Sequence, residues 1–244
     1  MDEKKMIHAK RVSELINQYL ITRSPQAAKE LEKLYDATLS YSDQYEDFCS
    51  VVATHAHMLA LYHIEDDYSP VASLGYSVKS DMYYEKYAKM QISRGESIAG
   101  FQTWIDQIKL IQAYGYYQID AFEMAVKLLL DTTSSCAMGL AGSAMVRIAV
   151  AQNADMAYPA FTLLNKMNEN LQPPSWIFEE DIYRMAYGNL CMFYTHGIKI
   201  AGDNRIPYDI CKALEVLYKI KPLLKDPQQK QWIEEDIQSC KAKL

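Results

Sequence analysis

The chain has 244 residues and a net charge of −6, from 25 Lys and Arg against 31 Asp and Glu. Half of the residues are hydrophobic and 23% are charged, a composition that excludes an intrinsically disordered chain. Gly and Pro number only 9 and 8, too few for the many tight turns of a sheet protein.

Helical periodicity runs through the first half of the chain, where apolar residues recur at steps of three and four. Ser24-Pro25 and Ser69-Pro70 are typical helix starts, because Ser can cap a helix and Pro fits its first position. The pattern predicts five helices, at about residues 12–20, 25–39, 45–62, 70–92 and 96–118.

The second half continues in the same way, and Pro173-Pro174 divides it because the residue before Pro avoids the helical conformation. Six further helices are expected, at about residues 121–130, 134–152, 154–169, 175–201, 207–221 and 227–244, with a loop at 202–204. No segment alternates apolar and polar residues over enough positions to require a strand.

The sequence thus predicts an all-α protein of about eleven helices, antiparallel to their neighbours because the loops are short. Residues 1–68 form helical hairpins that we expect to cap the stack or to mediate a homodimer. Residues 69–244 form the main helical region, which we expect to be continuous with the first as one domain.

Charge and hydropathy exclude two classes of partner. Neither half of the chain has the excess of basic residues that duplex nucleic acid demands, so no nucleic acid is expected. The apolar segment 136–151 is shorter than the roughly 20 residues that span a bilayer, and it contains Arg147. We therefore expect a buried helix there and no membrane partner.

Cysteine usage points to a reducing compartment. The five cysteines are far apart in the sequence, and none belongs to a Cys-x-x-Cys motif. The segment MDEKKMIHAKR lacks the apolar core of a secretory signal. A cytoplasmic protein is the expectation.

Small residues recur at a period that suits a two-helix unit. Gly115 follows Gly75 by 40 residues, Ala151 follows Gly115 by 36, and Gly188 follows Ala151 by 37. A small side chain allows a partner helix to approach closely, so we expect close helix contacts at these positions.

This pattern resembles the tetratricopeptide-repeat (TPR) family, in which units of about 34 residues each pair two helices. The resemblance covers roughly residues 70–244: the four small residues match the family's small position, and Pro222 and Pro227 match its end-of-repeat prolines. It implies a right-handed α-solenoid whose concave groove binds a segment of a partner protein.

Arg147 is the only charged residue in the sequence between Asp131 and Asp155, a region that is otherwise largely apolar. A buried guanidinium is costly without a partner. Two interpretations stay open: Arg147 bridges to a carboxylate or to helix-end carbonyls, or it faces a groove and binds an acidic group of a partner.

Aromatic side chains supply the other candidate contacts, since the chain has 19 Tyr and only 6 Phe. Tyr combines a large apolar ring with a polar tip, which suits both packing between helices and recognition. In addition to Arg147, the predicted partner-binding residues are Tyr117, Tyr187, Asn189 and Arg184.

A metal site is a weak alternative. His63 and Asp67 are four residues apart and could share an ion, but His55 and His57 point to different faces of a helix. The sequence has no His-Glu-x-x-His motif. The acidic triplet 179–181 lies in the first turn of a predicted helix, where the helix dipole favours negative charge. We expect no cofactor and no catalytic residue.

Three functions remain open. The first is a non-enzymatic helical-repeat protein that binds a protein or peptide segment in a concave groove. The second is a sensor of a small peptide or metabolite. The third is a helical-bundle metal protein or enzyme that uses the region from His55 to Asp67.

Overall fold

The computed structural model describes residues 3–199, 205–206 and 208–244, and this part of the chain is helical almost throughout. The predicted all-α class is confirmed. The described residues form eleven α-helices: α1 Glu3–Thr22, α2 Pro25–Gln44, α3 Cys49–Glu65, α4 Pro70–Ser93, α5 Ala99–Gln118, α6 Phe122–Leu129, α7 Ser135–Ala151, α8 Ala157–Glu169, α9 Ile177–His196, α10 Ile210–Ile220 and α11 Pro227–Lys241.

Several helix starts follow the capping signals of the sequence. Pro25 opens α2, and the Ser24 hydroxyl accepts a hydrogen bond from the Ala27 amide at 3.4 Å. Asp226 caps α11 in the same way. Ser69 precedes α4 without a capping hydrogen bond from its side chain, so Pro70 alone carries that signal.

The predicted helix over 175–201 is wrong at its end. Helix α9 stops at His196 because Gly197 adopts a left-handed conformation, with φ of 57°. A Cβ atom at Gly197 would lie only 3.0 Å from the Tyr208 backbone nitrogen. Two short strands follow, β1 (Ile198–Lys199) and β2 (Arg205–Ile206), paired antiparallel where no strand was expected. The predicted loop at 202–204 and the predicted helix start at Pro207 lie outside the described residues.

The helices group into two compact units, unit 1 (Met1–Ile119) and unit 2 (Asp120–Leu244). The boundary expected between residues 68 and 69 falls inside unit 1, in the loop between α3 and α4, and these two helices pack against each other. The expected division into 1–68 and 69–244 stays a prediction.

Unit 1 is built around α3, which packs against α1, α2, α4 and α5. Serines of α4 lie against the α3 backbone: Ser73 donates to the Ala60 carbonyl at 2.8 Å and Ser80 to the Ala53 carbonyl at 2.9 Å. A small side chain that bonds directly to the neighbouring backbone brings the two helices close while leaving no buried hydroxyl unsatisfied at these two sites.

Unit 2 is built around α7, which packs against α6, α8 and α9, while α10 and α11 pack on α9. Two glycines of α7 permit close approach. A Cβ at Gly139 would lie 2.8 Å from the Met167 sulfur, and one at Gly142 would lie 2.8 Å from the side chain of Leu164. The apolar segment 136–151, which lies in α7, is a buried helix over most of its length, as predicted.

The small residues of the proposed repeat do not share one structural role. At Gly115 an added Cβ would lie 2.8 Å from the Leu74 side chain, so the expected close approach occurs there. At Gly75 and Gly188 an added Cβ would meet no atom within 4 Å, and Ala151 is exposed at the end of α7. The expected close contact at these three positions is therefore wrong.

Within the described part of the chain, no helix combines the length and the apolar character needed to cross a membrane.

Candidate binding grooves

Unit 2 has an open groove of about 490 Å³ that we call the α7 groove. Helices α6 and α8 both pack on α7, and the groove has its walls on α6 and α8 and its floor on α7. The described residues that line it are Leu129, Leu130, Thr132, Met138, Ala141, Met145, Tyr158, Pro159, Thr162, Leu163 and Lys166.

The lining of the α7 groove is mostly apolar, with a cation at one wall. Leu130 is 66% exposed and Tyr158 is 37% exposed, so two large hydrophobic side chains lie on the surface here. Met138 and Met145 add flexible side chains that adapt to different shapes. Among the described lining residues, Lys166 is the only charged one. The groove can therefore take apolar side chains together with a negatively charged group.

Arg147 does not line this groove. It lies two residues after Met145, which places it about 200° around the helix from that lining residue. Its side chain is exposed and the guanidinium lies 5.5 Å from the ring centroid of Phe122 on α6. The cost of burying this charge, which motivated both interpretations of Arg147, does not arise in this structure.

The other predicted contacts in unit 2 lie on α9 and outside the α7 groove. Tyr187 is fully buried, and its hydroxyl donates to the Asn168 side-chain oxygen at 2.9 Å. Arg184 is half-buried, with its guanidinium 4.6 Å from the ring centroid of Trp232. Asn189 is half-buried too. Tyr187 thus packs in the core rather than on an open surface.

Tyr117 belongs to α5 in unit 1 and is half-buried. The structure therefore places the five predicted partner-binding residues on three helices, and it brings none of them into the α7 groove.

Unit 1 has a second open groove, of about 420 Å³, that we call the Trp104 groove. It is formed by one face each of α1 and α3 and is closed on one side by Trp104 of α5. The described lining residues carry no formal charge: Ala9, Val12, Ser13, Ile16, Asn17, Leu20, Ser50, Val51, Thr54 and Trp104. Hydroxyl and amide groups beside an indole ring suit a neutral molecule with an aromatic part.

His57 is buried behind this indole. The His57 ring makes an edge contact with Trp104 at 5.2 Å between centroids, and within the described residues neither ring nitrogen has a hydrogen-bond partner. Burial lowers the pKa of His57 to about 3, so the ring is neutral near pH 7.

His55 is a core histidine. Its Nδ1 lies 3.0 Å from the Thr38 hydroxyl oxygen and its Nε2 lies 2.9 Å from the Leu31 carbonyl oxygen. Burial lowers the pKa of His55 to about 4, against the opposing effect of the Leu31 hydrogen bond. Among the described contacts, no carboxylate is paired with His55 or His57.

His63 and Asp67 are brought together, as their spacing suggested. His63 Nδ1 lies 2.8 Å from an Asp67 carboxylate oxygen, and Nε2 lies 3.0 Å from Glu32 Oε1. The imidazole also stacks on the ring of Tyr76, 5.3 Å away. Both ring nitrogens thus face carboxylates directly. Across the described residues, no group of three or more His, Cys, Asp and Glu side chains is arranged to hold a metal ion.

Two members of the acidic triplet at the start of α9, Glu179 and Glu180, bind backbone amides, and the third, Asp181, accepts from the Gln229 side chain. Glu179 accepts from the Ser175 and Trp176 amides at 2.6 and 3.3 Å. Glu180 accepts from the Lys225 and Asp226 amides at 2.8 and 3.0 Å, and so ties the start of α11 to α9. Burial raises the pKa of Glu179. Glu179 thus has a structural role at the start of α9, whereas Glu180 links α9 to the segment before α11.

One buried ion pair had no signal in the sequence. Arg23, with φ of 51° in the turn after α1, places its guanidinium 2.6 Å from Glu65, a side chain with no exposed surface at the end of α3. The two residues are 42 positions apart, and charge patterning predicts partners only at helical spacing.

The sequence does not predict the α7 groove, although one wall of the groove has a recognisable helical spacing. Tyr158, Thr162 and Lys166 follow each other at steps of four, which places them on one face of a helix. The sequence does not say whether such a mixed face is covered by another helix or lines a groove.

Comparison of the chain with models of protein families, with curated proteins and with solved structures finds no match.

Proposed function

We propose that the protein is a non-enzymatic helical-repeat protein that binds an extended or helical segment of a partner protein in the α7 groove. The observation that carries this proposal is the exposed apolar lining beside Lys166. The bound segment is expected to bring at least two large apolar side chains and an acidic residue that pairs with Lys166.

The helix arrangement supports the proposal. In unit 2 each helix from α6 to α11 packs on the next along the chain, and α7 also packs on α9. Packing between neighbours and next neighbours is what a TPR-like right-handed solenoid requires, and such repeats bind partners on their extended concave surface. A volume of about 490 Å³ holds a few side chains of a peptide.

Selection from a random peptide library tests this function. We expect enriched peptides to combine large apolar residues with Asp or Glu. The blocking variant is Thr162→Trp, because Thr162 is exposed in the groove wall and its hydroxyl bonds only the Tyr158 carbonyl of its own helix among the contacts described. Binding of the enriched peptides should fall at least tenfold.

Thr22→Trp is the matched control. Thr22 is likewise exposed and donates to the carbonyl four residues before it, that of Gln18, but it does not line the α7 groove. Equal binding by both variants would remove the α7 groove from the account, and failure to enrich any peptide sequence would remove the function itself.

A second candidate function rests on the Trp104 groove: sensing of a small neutral molecule with an aromatic part. Its lining offers hydroxyl groups, an amide and an indole, without a formal charge. Screening neutral and charged aromatic fragments by thermal shift tests it. We expect neutral fragments to raise Tm, and the rise to be lost in Ser13→Phe but kept in Ser40→Phe, an exposed control on α2. Equal responses to charged and neutral fragments would contradict it.

A further inference from the structure

Two buried cysteines of unit 2 face each other across a helix interface. Cys191 lies in α9 and Cys240 in the last turn of α11, and their sulfur atoms are 3.5 Å apart. Both are free thiols, 7% and 2% exposed. They are 49 positions apart in the sequence, so spacing gave no sign of the pair.

The distance between the two sulfur atoms is short enough for a disulfide to form after a small movement. A disulfide bond is about 2.05 Å long, so the sulfur atoms need to approach each other by roughly 1.5 Å. The last turn of a helix frays more readily than its middle, and Cys240 lies in such a turn. Rotation of one side chain with a small shift of that turn brings the two atoms into bonding distance.

We propose that Cys191 and Cys240 form a redox modification site, in which hydrogen peroxide oxidises the two thiols to a disulfide that ties α11 to α9. The site is independent of the α7 groove, whose lining contains neither cysteine.

The reaction proceeds in two steps. The thiolate of Cys191, the more exposed of the pair, attacks one peroxide oxygen; the O–O bond breaks, a sulfenic acid forms, and the departing hydroxide takes a proton to become water. The Cys240 sulfur then attacks the sulfenic sulfur. The S–S bond forms, the S–O bond breaks, and a second water leaves with the thiol proton. Two electrons pass from the sulfurs to the peroxide.

The environment makes the first step slow near neutral pH. Burial raises the pKa of the Cys191 thiol, as do the neighbouring Cys240 sulfur and the Asp236 carboxylate, while the Lys243 ammonium acts in the opposite direction. Little thiolate is therefore present at pH 7. The thiolate fraction, and with it the rate of oxidation, should rise about tenfold for each pH unit between pH 7 and 8.5.

The other cysteines of unit 2 are internal controls. Cys211 is exposed on α10, and Cys136 is buried in α7. If burial or exposure alone decided reactivity, one of these two would react in place of the pair.

Peptide mapping of the full-length folded protein tests the proposal. The protein is treated with a small excess of hydrogen peroxide, remaining thiols are alkylated, and tryptic peptides are analysed without reduction. We expect peptide 185–199, which contains Cys191, joined to peptide 231–241, which contains Cys240, at the summed mass less two hydrogens. Dithiothreitol should release both peptides. In 6 M urea the specific pairing should give way to mixed pairings.

Cys240→Ala is the companion variant: the joined peptide should disappear, and dimedone should trap a sulfenic acid at Cys191. The wild-type map decides the matter even if this variant fails to fold. Recovery of Cys191 and Cys240 in alkylated form, while Cys211 is oxidised, would overturn the proposal. So would Cys191 joined to Cys211 or Cys136, or a rate of oxidation that is unchanged between pH 7 and 8.5.

Discussion

Helices α3 and α7 each lie at the centre of one unit, and both are buried over most of their length. They are nevertheless buried in opposite ways. Helix α3 buries large and polar side chains, including His55, His57 and Glu65. The buried residues of helix α7 are mainly Ala, Gly and Ser, so that side chains of α8 and α9 fill the space next to its backbone.

This difference teaches what each core is sensitive to. A core that holds neutral histidines and an ion pair responds to pH and to the loss of a polar partner. A core built on close approach to glycine responds to added volume. Two helices with the same apolar pattern in the sequence therefore differ in what destabilises them: a change of pH for α3 and an added side-chain volume for α7.

Acid should unfold unit 1 before unit 2. The folded-state pKa values of His55 and His57, about 4 and about 3, lie below the ordinary value of 6.5. The unfolded chain therefore binds protons that the folded chain does not. The stability from the neutral histidines is complete above about pH 6.5 and is lost as the pH falls, by about 4 kcal/mol at pH 5 for the two residues together.

Hydrogen exchange at pH 7 and pH 5, corrected for intrinsic rates, measures this effect in each unit. Burial raises the pKa values of Glu179 and Asp236 in unit 2 and of Asp81 in unit 1, so these carboxyls favour the folded state as the pH falls in both units, and the difference between the units rests on the two histidines. We expect protection to drop in α3 and to persist in α7. His57→Leu should remove about half of the pH dependence in unit 1. An equal loss of protection in both helices would contradict the assignment.

Gly142→Leu should destabilise unit 2 by about 3 kcal/mol, because the new side chain occupies the space of Leu164. Urea denaturation followed by hydrogen exchange of unit 2 peptides measures the loss. If the change is below 0.5 kcal/mol, α8 does not pack closely on α7 and the picture of this core is wrong.

Arg23→Met should destabilise unit 1 by roughly 2 kcal/mol, less than for a fully buried pair because the Arg23 side chain is 30% exposed. The reason is that the substitution leaves the Glu65 carboxylate buried without this cation. A double variant, Arg23→Met with Glu65→Met, checks the cause: its loss of stability in urea should be smaller than the sum of the two single changes. Additive losses would mean that the ion pair does not couple the two sites.

Gly188→Ala should stabilise unit 2 by about 0.8 kcal/mol, the smallest effect of the series. Gly188 lies within α9, where an added Cβ meets no atom within 4 Å. A measurable loss of stability in urea would instead place a close neighbour at this position and return Gly188 to the role expected from the repeat.

The fold was largely predictable because helical periodicity and capping residues act locally. The eleven helices and the start of α2 at Pro25 follow from signals a few residues long. The end of α9 did not, since Gly197 terminates that helix with a left-handed conformation and the apolar pattern runs past it. Local patterns also do not reveal which glycine meets a neighbour: Gly142 does and Gly188 does not.

The candidate site was not predictable to the same extent, because a groove depends on where helices leave space between them. Arg147 is a charge in an apolar segment of the sequence, but it lies on an exposed face of α7. Tyr187 has a side chain suited to recognition, but it is a core residue. Lys166 shares one helix face with Tyr158 and Thr162, but only the packing of α6, α7 and α8 shows that this face lines a groove.

Charge exchange between Lys166 and a bound peptide tests the proposed function most directly. For the peptide enriched by selection, affinity should fall about tenfold or more with Lys166→Glu and return when the acidic residue of the peptide is changed to Lys. Lys230→Glu, at an exposed position of α11 in the same unit, should leave affinity unchanged. If Lys166→Glu and Lys230→Glu affect binding equally, or if the changed peptide does not restore it, the α7 groove does not recognise an acidic segment through Lys166.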